Sequence, residues 1–282
     1  MEQLPTPNPL NKYFRTAGIH VKLPSDGKYW ADGALQLPVT GEIPVLPMTA
    51  KDEILLKTPD ALLNGSGIVE VMQDCCPSIV DGWQMPSVDV DYVLIAIRIA
   101  SFGHNMEISA ECPHCKAEND YDVDLRSILD GIKMPDYATP VTVDDLRITL
   151  MPQRYFSVTQ TNRIEFEEEQ IIKSLHAEGV ADDVKEAIVK QNIAKVAELN
   201  IQILTDSTES ITTPESVVVD KKFIREFYEN TSNANIKSVK KRLRELNAEA
   251  AIKPVSVSCN ECEKEFDIAI EFDYSNFFAS GS

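Results

Sequence analysis

Apolar residues at helical spacing mark a long segment in the first half of the chain. Between Ser87 and Gly103, the residues Tyr92, Ile95 and Ile99 follow helical spacing, although the start of this segment also alternates like a strand. We favour the helical interpretation because Gly103 supplies an end signal. The pattern therefore predicts a buried helix that is capped by Ser87 and ended by Gly103.

Polar residues with capping ability predict where other helices begin. Thr49 precedes acidic residues, and Thr58 precedes Pro59, which suits the first helical position. A third helix is predicted to run to Cys75, and a short one to cover 124–132.

Helical spacing continues from residue 154 to about residue 247. The last predicted helix carries Ile236, Val239, Leu243 and Leu246 at steps of three and four. A strand pair or one extended strand is predicted before these helices, at 141–150. We therefore predict a mainly α-helical domain over 124–253.

Short alternating runs predict β-structure near the N-terminus. Ile19 to Leu23 alternates, and turn-forming residues such as Gly27 separate this run from later apolar runs. We predict an extended arm and a β-meander over 1–48, followed by a helical segment over 49–104.

Four of the six cysteines form two Cys-x-x-Cys pairs, Cys112 with Cys115 and Cys259 with Cys262. Alternating residues flank both pairs, so each pair is predicted to occupy the tip of a β-hairpin, a feature that we call a knuckle. Because no export signal is evident, this spacing indicates metal binding rather than disulfides. Two knuckles that meet at one ion form a zinc ribbon, in which four thiolates bind Zn²⁺ tetrahedrally.

The two cysteine pairs lie far apart along the chain, since 143 residues separate Cys115 from Cys259. The ribbon is therefore predicted to be split, with halves at 105–123 and 254–274, and one structural Zn²⁺ would join them. The predicted fold class is α+β, with an N-terminal β-meander and helices, a split zinc ribbon of two β-hairpin knuckles, and an inserted α-helical domain. An aromatic tail at 275–282 completes the chain.

Other interpretations of the cysteines stay open. The pairs could be redox-active or bind no metal, and His114 could replace a thiolate, although four cysteines already complete a tetrahedral site. A catalytic zinc needs an open coordination position, which four thiolates do not leave. The adjacent Cys75 and Cys76 are interpreted as small buried residues.

The charge of the chain restricts its partners. Lys and Arg number 27 and Asp and Glu number 45, so the formal net charge is −18. Such a chain repels phosphate backbones unless it has a concentrated basic patch. We interpret the main basic cluster as a solvated helix face; it comprises Lys237, Lys240, Lys241, Arg242 and Arg244. Because of this charge, we expect no nucleic-acid binding. No apolar run has the ~20 residues of a spanning helix, so we also expect no membrane insertion.

The sequence lacks the motifs of common enzyme classes. Phosphate-binding glycine loops, the Gly-x-Ser-x-Gly nucleophile elbow and the His-Glu-x-x-His zinc motif are absent. The histidines are scattered along the chain: His20, His104, His114 and His176. We expect a protein that is not an enzyme and has no small-molecule substrate.

Several segments together carry a resemblance to a known family. They are Lys28-Tyr-Trp-Ala-Asp-Gly, Pro47-Met-Thr-Ala-Lys-Asp-Glu-Ile-Leu-Leu-Lys-Thr-Pro-Asp-Ala-Leu-Leu-Asn-Gly, Asp91-Tyr-Val-Leu-Ile-Ala-Ile-Arg98-Ile-Ala-Ser101-Phe-Gly103, a Cys-Pro-x-Cys knuckle, a helical middle, a second Cys-x-x-Cys and the terminal Phe277-Phe278. In this order they resemble the baseplate hub proteins of T4-like contractile-tailed bacteriophages, a group that includes the hub assembly protein. The resemblance covers most of the chain.

The resemblance implies a non-enzymatic structural or assembly protein that builds or braces the baseplate hub. It implies other baseplate and hub proteins as partners, a place in the virion tail baseplate, and assembly in the host cytoplasm. Both assembly factors and retained virion parts occur among such proteins. The cysteines by themselves leave a nucleic-acid-binding zinc-ribbon protein as the alternative, and a zinc enzyme as a third hypothesis.

Phe277 and Phe278 lie close to the end of the chain, where residues are normally poorly ordered. Paired aromatic residues at such a place suggest docking, either onto the protein's own core or onto a neighbour. Both possibilities stay open, and we treat the two residues as candidate partner-binding residues.

Overall fold

The computed structural model describes residues 8–58, 65–175, 182–270 and 277–278. Across these ranges the chain combines eight α-helices with three two-stranded sheets and one four-stranded sheet. The fold is therefore a mixture of helices and small sheets, as the α+β prediction expects at this level. Among these helices, none is both long and apolar enough to cross a membrane.

The N-terminal region contains one strand pair, in which β1 (Ile19–Val21) is antiparallel to β2 (Ile43–Val45). The predicted meander is wrong in this respect, because residues 8–48 contain no further strand. Asp26 and Tyr29 have left-handed backbone conformations, with φ of 54° and 66°. Such turns interrupt the extended conformation that strand pairing needs, and between β1 and β2 only an isolated bridge forms, from Leu35 to Ile79.

Three helices follow: α1 (Ala50–Leu56), α2 (Ser66–Cys75) and α3 (Ser87–Phe102). Thr49 caps α1 as predicted, since its side chain accepts from the Asp52 N–H. The capping is reciprocal, because the Thr49 N–H donates to the Asp52 carboxylate at 2.7 Å. The predicted helix that begins near Thr58 falls largely outside the described residues.

The helix α3 confirms the prediction for this segment, with one correction at its start. Its N-cap is Pro86 and not Ser87, which is the first helical residue. Gly103 follows the helix with φ of 89°, a conformation that suits glycine.

The main hydrophobic core lies between α2, α3 and the β1–β2 pair. Five consecutive residues of α3, Val93 to Ile97, are completely buried, so this helix is covered on all sides at its centre. Burial of each such aliphatic side chain contributes ~1.5–3 kcal/mol to folding. This region is therefore held by apolar packing.

A long hairpin follows α3, formed by β3 (Asn105–Glu111) and β4 (Glu118–Asp124). Asp124 then caps α4 (Leu125–Gly131) through a bond from the Arg126 N–H, which confirms the predicted short helix. The rest of the segment up to residue 250 consists of β5 (Val141–Val143), β6 (Leu146–Leu150), α5 (Tyr155–Leu175), α6 (Asp182–Asp206), β7 (Thr208–Thr212), β8 (Val217–Val218), α7 (Lys221–Asn230) and α8 (Asn233–Ala250).

The prediction of helices alone over 154–247 is wrong at β7 and β8, which join β5 and β6 in a four-stranded antiparallel sheet. The strand β7 is rich in β-branched residues, which favour strands when a neighbouring strand is available. Ile211 of β7 packs beside Ile148 of β6 in a second core, and the Thr208 and Tyr228 hydroxyls form a 2.7 Å hydrogen bond there. A final hairpin, β9 (Val255–Ser258) with β10 (Glu265–Ile268), follows α8.

Candidate metal centre

Each Cys-x-x-Cys pair occupies the turn of a hairpin, as predicted from the sequence. Cys112 and Cys115 lie between β3 and β4, and Cys259 and Cys262 lie between β9 and β10. The strand β3 has no buried residue, and β9 has none either. Their partner strands are packed, since Tyr121 and Val123 of β4 and Ile268 of β10 are buried. Each hairpin therefore has buried residues on one strand only.

The turn of the first hairpin is closed by two backbone hydrogen bonds. The Cys112 N–H donates to the Ala117 carbonyl oxygen, and the Lys116 N–H donates to the Cys112 carbonyl oxygen, both at 2.9 Å. Lys116 has a φ of 66°, a left-handed conformation that non-glycine residues adopt at a cost.

The turn of the second hairpin repeats this geometry. The Cys259 N–H donates to the Lys264 carbonyl oxygen at 3.0 Å, the Glu263 N–H donates to the Cys259 carbonyl oxygen at 2.9 Å, and Glu263 has a φ of 58°. The residue after the second cysteine is thus left-handed in both turns. This shared backbone geometry directs both sulfurs of each pair to the same side.

The two knuckles meet, although their cysteines are far apart in sequence. The four Sγ atoms of Cys112, Cys115, Cys259 and Cys262 all lie within 4.8 Å of one another. Across the two hairpins, Cys112 Sγ is 3.8 Å from Cys262 Sγ, and Cys115 Sγ is 3.6 Å from Cys259 Sγ. Tetrahedral zinc with Zn–S bonds of ~2.3 Å has sulfurs ~3.8 Å apart. The four sulfurs therefore fit one metal ion of this size.

Backbone donors make one of the four sulfurs easy to ionise. The N–H of Cys262, together with that of Glu261, lowers the pKa of the Cys259 thiol to about 6. At Cys115 the N–H of Ala117 also lowers the pKa, but desolvation and the other three cysteines outweigh it and raise the pKa to about 12. Four thiolates at this spacing repel one another unless a cation is shared between them. The donor set thus suits a thiophilic cation.

Neighbouring side chains also join the two hairpins. Asn119 of β4 directs its Nδ2 towards Cys259 Sγ at 3.7 Å, an interaction that orients the sulfur. The rings of Tyr121 and Phe266 pack edge to face with centroids 5.9 Å apart, one from each hairpin. Nothing in the local sequence pattern shows that β4 faces β10, so the roles of Asn119 and Tyr121 could not be predicted from it.

The other cysteines and His114 lie apart from this centre. His114 is exposed in the first turn and is outside the group of metal-compatible side chains found in the described ranges. Cys75 and Cys76 are completely buried in the main core, which confirms their interpretation as small buried residues. Desolvation raises the pKa of Cys75 to about 12, so this thiol is unreactive at neutral pH.

Phe277 and Phe278 pack on the protein's own core. They are 5% and 4% exposed and belong to the main hydrophobic cluster, and the Arg98 guanidinium lies 5.5 Å from the Phe277 ring centroid. In this structure the two rings therefore dock onto the protein's own core, one of the two possibilities that the sequence left open, and a role in partner binding stays a prediction. Arg98 itself is 5% exposed, and its Nε and Nη1 have no hydrogen-bond partner in the described structure.

The segments that carry the family resemblance make structural contacts. Trp30 Nε1 donates to the buried Asp89 carboxylate at 2.9 Å, and Ser25 donates to the same carboxylate. Ser101 Oγ accepts from the Met48 N–H at 2.9 Å. These bonds tie the N-terminal region to α3, so Trp30, Met48 and Ser101 of these segments have a structural role.

These observations define a class of protein. It is a mixed α/β protein with a long central segment, and the two hairpins that flank this segment meet at four thiols that could bind one metal ion. A family model described as "T4 bacteriophage base plate protein" matches residues 16–279. The chain belongs to this family, so it is a phage baseplate protein that contacts other baseplate proteins in the virion tail. No curated protein and no solved structure matches the chain. The resemblance to T4-like baseplate proteins is confirmed.

Proposed function

We propose that this protein is a structural or assembly component of the baseplate hub of a contractile tail, that it builds or braces the hub through protein–protein contacts, and that it is not an enzyme. The family match over residues 16–279 carries this proposal. Assembly of the baseplate in the host cytoplasm belongs to the same proposal.

Exposed apolar side chains near the N-terminus support a role in protein–protein contacts. Leu10, Tyr13 and Phe14 are 59%, 74% and 58% exposed. They lie within five residues of one another, around a short 3-10 turn at Asn11–Tyr13. Grouped apolar side chains of this kind are typical of interaction sites. We propose that this arm contacts a neighbouring baseplate subunit.

We further propose that the cofactor is one structural Zn²⁺, held by Cys112, Cys115, Cys259 and Cys262. The spacing of the sulfurs and the matching backbone of both turns support it. Four thiolates would complete the coordination of zinc and leave no open position for a substrate. The ion would supply a cross-link between hairpins at 105–123 and 254–274, and these residues would hold it as thiolates.

The same cross-link supports the proposed division of the chain. The arm and first sheet region (1–48), the helical segment (49–104) and the C-terminal tail (275–282) surround a split zinc-ribbon-like module, and the segment 124–253 is inserted between its halves. Metal binding at the base of an insertion would hold its two ends together.

The charge distribution gives less support to the alternative of nucleic-acid binding. Within the basic cluster of α8, Arg242 lies 3.6 Å from Glu245 and 3.4 Å from Glu249, and Lys241 lies 3.9 Å from Glu245. Arg242 also donates to the carbonyl oxygen of Asp136. These charges are partly neutralised within the protein, whereas phosphate binding needs unpaired cations.

Purified tails provide the test of this function. We expect the protein to co-purify with tails in a fixed ratio if it is a retained part, or to be present only in assembly intermediates if it is an assembly factor. In either case, a phage that lacks the protein should accumulate unfinished hubs. Complete, infectious tails produced by a phage that lacks the protein would contradict the proposal.

A further inference from the structure

A surface cavity lies where the two hydrophobic cores meet, and no interaction described so far uses it. Its volume is about 310 Å³, and it is open to solvent. Its walls come from the start of α3, the end of α4, the start of α5 and the end of α8. The described residues that line it are Ser87, Val88, Asp91, Ile132, Gln153, Val158, Asn247, Ala250 and Ala251.

The polar groups of this cavity lack partners of opposite charge. Asp91 is the charged residue among the described lining residues, and burial alone shifts its pKa, with no contribution from a hydrogen bond or a charged partner in the described structure. Lys133 and Lys253, which lie next to the lining residues Ile132 and Ala251 along the chain, are both exposed. Burial raises the pKa of the Asp91 carboxyl to about 6. A cation that enters the cavity would stabilise the ionised form of this partly desolvated carboxylate.

The end of α8 adds a second attraction for a cation. The helix ends at Ala250, the Ala251 N–H donates to the Asn247 carbonyl oxygen at 3.0 Å, and the last turn contains no basic residue. The carbonyl end of a helix carries partial negative charge and favours cations. The Asp91 carboxylate and the carbonyl end of α8 therefore both attract a cation to the same cavity.

The walls between the polar groups are apolar. Val88, Ile132 and Val158 line the cavity beside Asp91, so a ligand with an aliphatic stem and a cationic head fits it better than a bare ion. A donor without a partner is also present, since Gln153 Nε2 is shielded from solvent and unbonded in the described structure.

We propose that this cavity is a docking site for an arginine side chain from a partner protein. The guanidinium binds Asp91 and the carbonyl end of α8, and the aliphatic stem packs on Val88, Ile132 and Val158. A chain with a net charge of −18 attracts basic partner segments in general, and the cavity selects one residue among them. This site is independent of the hub assignment, because it depends only on the cavity.

The test uses the full-length protein and three probes: a capped Gly-Arg-Gly peptide, the matched peptide with norleucine in place of arginine, and guanidinium ion alone. Binding is followed by NMR through the amide signals of Ala250 and Ala251 and the methyl signals of Val88 and Val158. We expect saturable shifts of these signals with the arginine peptide, and binding at least about tenfold weaker for the norleucine peptide and for guanidinium.

Two substitutions make the assignment specific. Asp91→Asn keeps the shape of the side chain, and we expect it to weaken binding of the arginine peptide about tenfold or more while the melting temperature does not fall. The matched control is Asp32→Asn, since Asp32 is exposed and lies outside the cavity lining, and it should bind the peptide like the wild type.

Four results would overturn the proposal, and the first three concern the peptides and the variant. They are the absence of shifts at the cavity with the arginine peptide, equal binding of the norleucine peptide, and unchanged binding by a folded Asp91→Asn variant. Equal affinity for guanidinium alone would indicate a site for small cations and would overturn docking of a protein partner.

Discussion

The region around α3 and the pair of cysteine hairpins are stabilised by different physical means. In the first region, Val93 to Ile97 are completely buried. In the second, only one strand of each hairpin has buried residues, Tyr121 and Val123 on β4 and Ile268 on β10, and the hairpins meet at four sulfurs and one aromatic pair. The first region is stabilised mainly by buried apolar surface, whereas the second buries less of it, and we expect the second to depend on the proposed cross-link as well.

This difference gives the two regions opposite responses to acid. A thiolate centre loses its metal as the pH falls, because protons compete for the sulfurs. Asp91, at the edge of the first region, has a raised pKa, so acid favours its folded environment. The regions can therefore be separated by pH as well as by mutation.

The largest effect is expected at the cysteine centre. Cys112→Ser removes one of four ligands, and structural zinc contributes ~10–16 kcal/mol of binding energy in small zinc domains. We expect the variant to lose its zinc, and both hairpins to lose protection in hydrogen exchange, while α3 stays protected. Native mass spectrometry should show one zinc in the wild type and none in the variant.

The matched control for this experiment is His114→Ala, which changes an exposed residue of the same turn. It should keep the zinc. Retention of zinc by Cys112→Ser, or an unchanged melting temperature of the wild type in strong chelator, would argue against the proposed cross-link.

The next largest effect is expected in the apolar region. Leu94 is completely buried, and Leu94→Ala should cost ~2–5 kcal/mol of unfolding free energy because it leaves a cavity. Denaturant unfolding measures this loss, and the zinc content of the folded protein should not change.

Ile54 provides the control for Leu94, since it is 69% exposed. Ile54→Ala should cost less than ~0.5 kcal/mol. If Leu94→Ala released the metal from otherwise folded protein, the two regions would not be stabilised independently.

A smaller effect with a defined pH dependence is expected at Asp91. Burial raises its pKa to about 6, above the ~3.9 of an unfolded chain. The folded state therefore binds the proton more tightly, and stability is lost as the pH rises from about 4 to above 6. Asp91→Asn should be more stable than the wild type at pH 7, by ~1–3 kcal/mol.

This gain should disappear below about pH 4, where Asp91 is protonated in both states. The exposed Asp32→Asn variant should show no such pH dependence. A variant Asp91→Asn that is less stable than the wild type at pH 7 would show that the carboxylate has a stabilising partner.

The smallest effect is expected in the left-handed turn of the second knuckle. Glu263 has a φ of 58°, which glycine adopts without the steric cost that other residues meet. We expect Glu263→Gly to raise the stability of the metal-bound protein by ~0.5 kcal/mol. Glu261→Gly removes the same charge from a residue without positive φ and should lower stability, as thermal unfolding of both variants would show.

Local patterns were sufficient to predict several elements of the fold. Thr49 with its acidic followers, the apolar run that ends at Gly103, and Asp124 before a short helix each depend on contacts within a few residues. The same holds for both knuckles, since a hairpin turn is closed by its own backbone. These features could be predicted because neighbours in sequence decide them.

Other features depend on residues that are distant in sequence, and the sequence pattern missed them. The strand β7 forms because β6 lies beside it, although its surroundings in sequence are helical. The Asp89 carboxylate is bonded by Ser25 and Trp30 from the N-terminal region, and the burial of Phe277 depends on the packing of α3. No local pattern contains this information.

The sequence alone determined which residues could bind a metal, because the thiol groups and the two-residue spacers are local chemistry. The convergence of the four sulfurs was expected from the sequence, but only the tertiary structure established it. The tertiary structure alone decided that the terminal phenylalanines face inward and that Asp91 shares a cavity with the end of α8. The physical reason is that convergence depends on how separate elements pack, and packing is set by contacts between side chains that lie far apart along the chain.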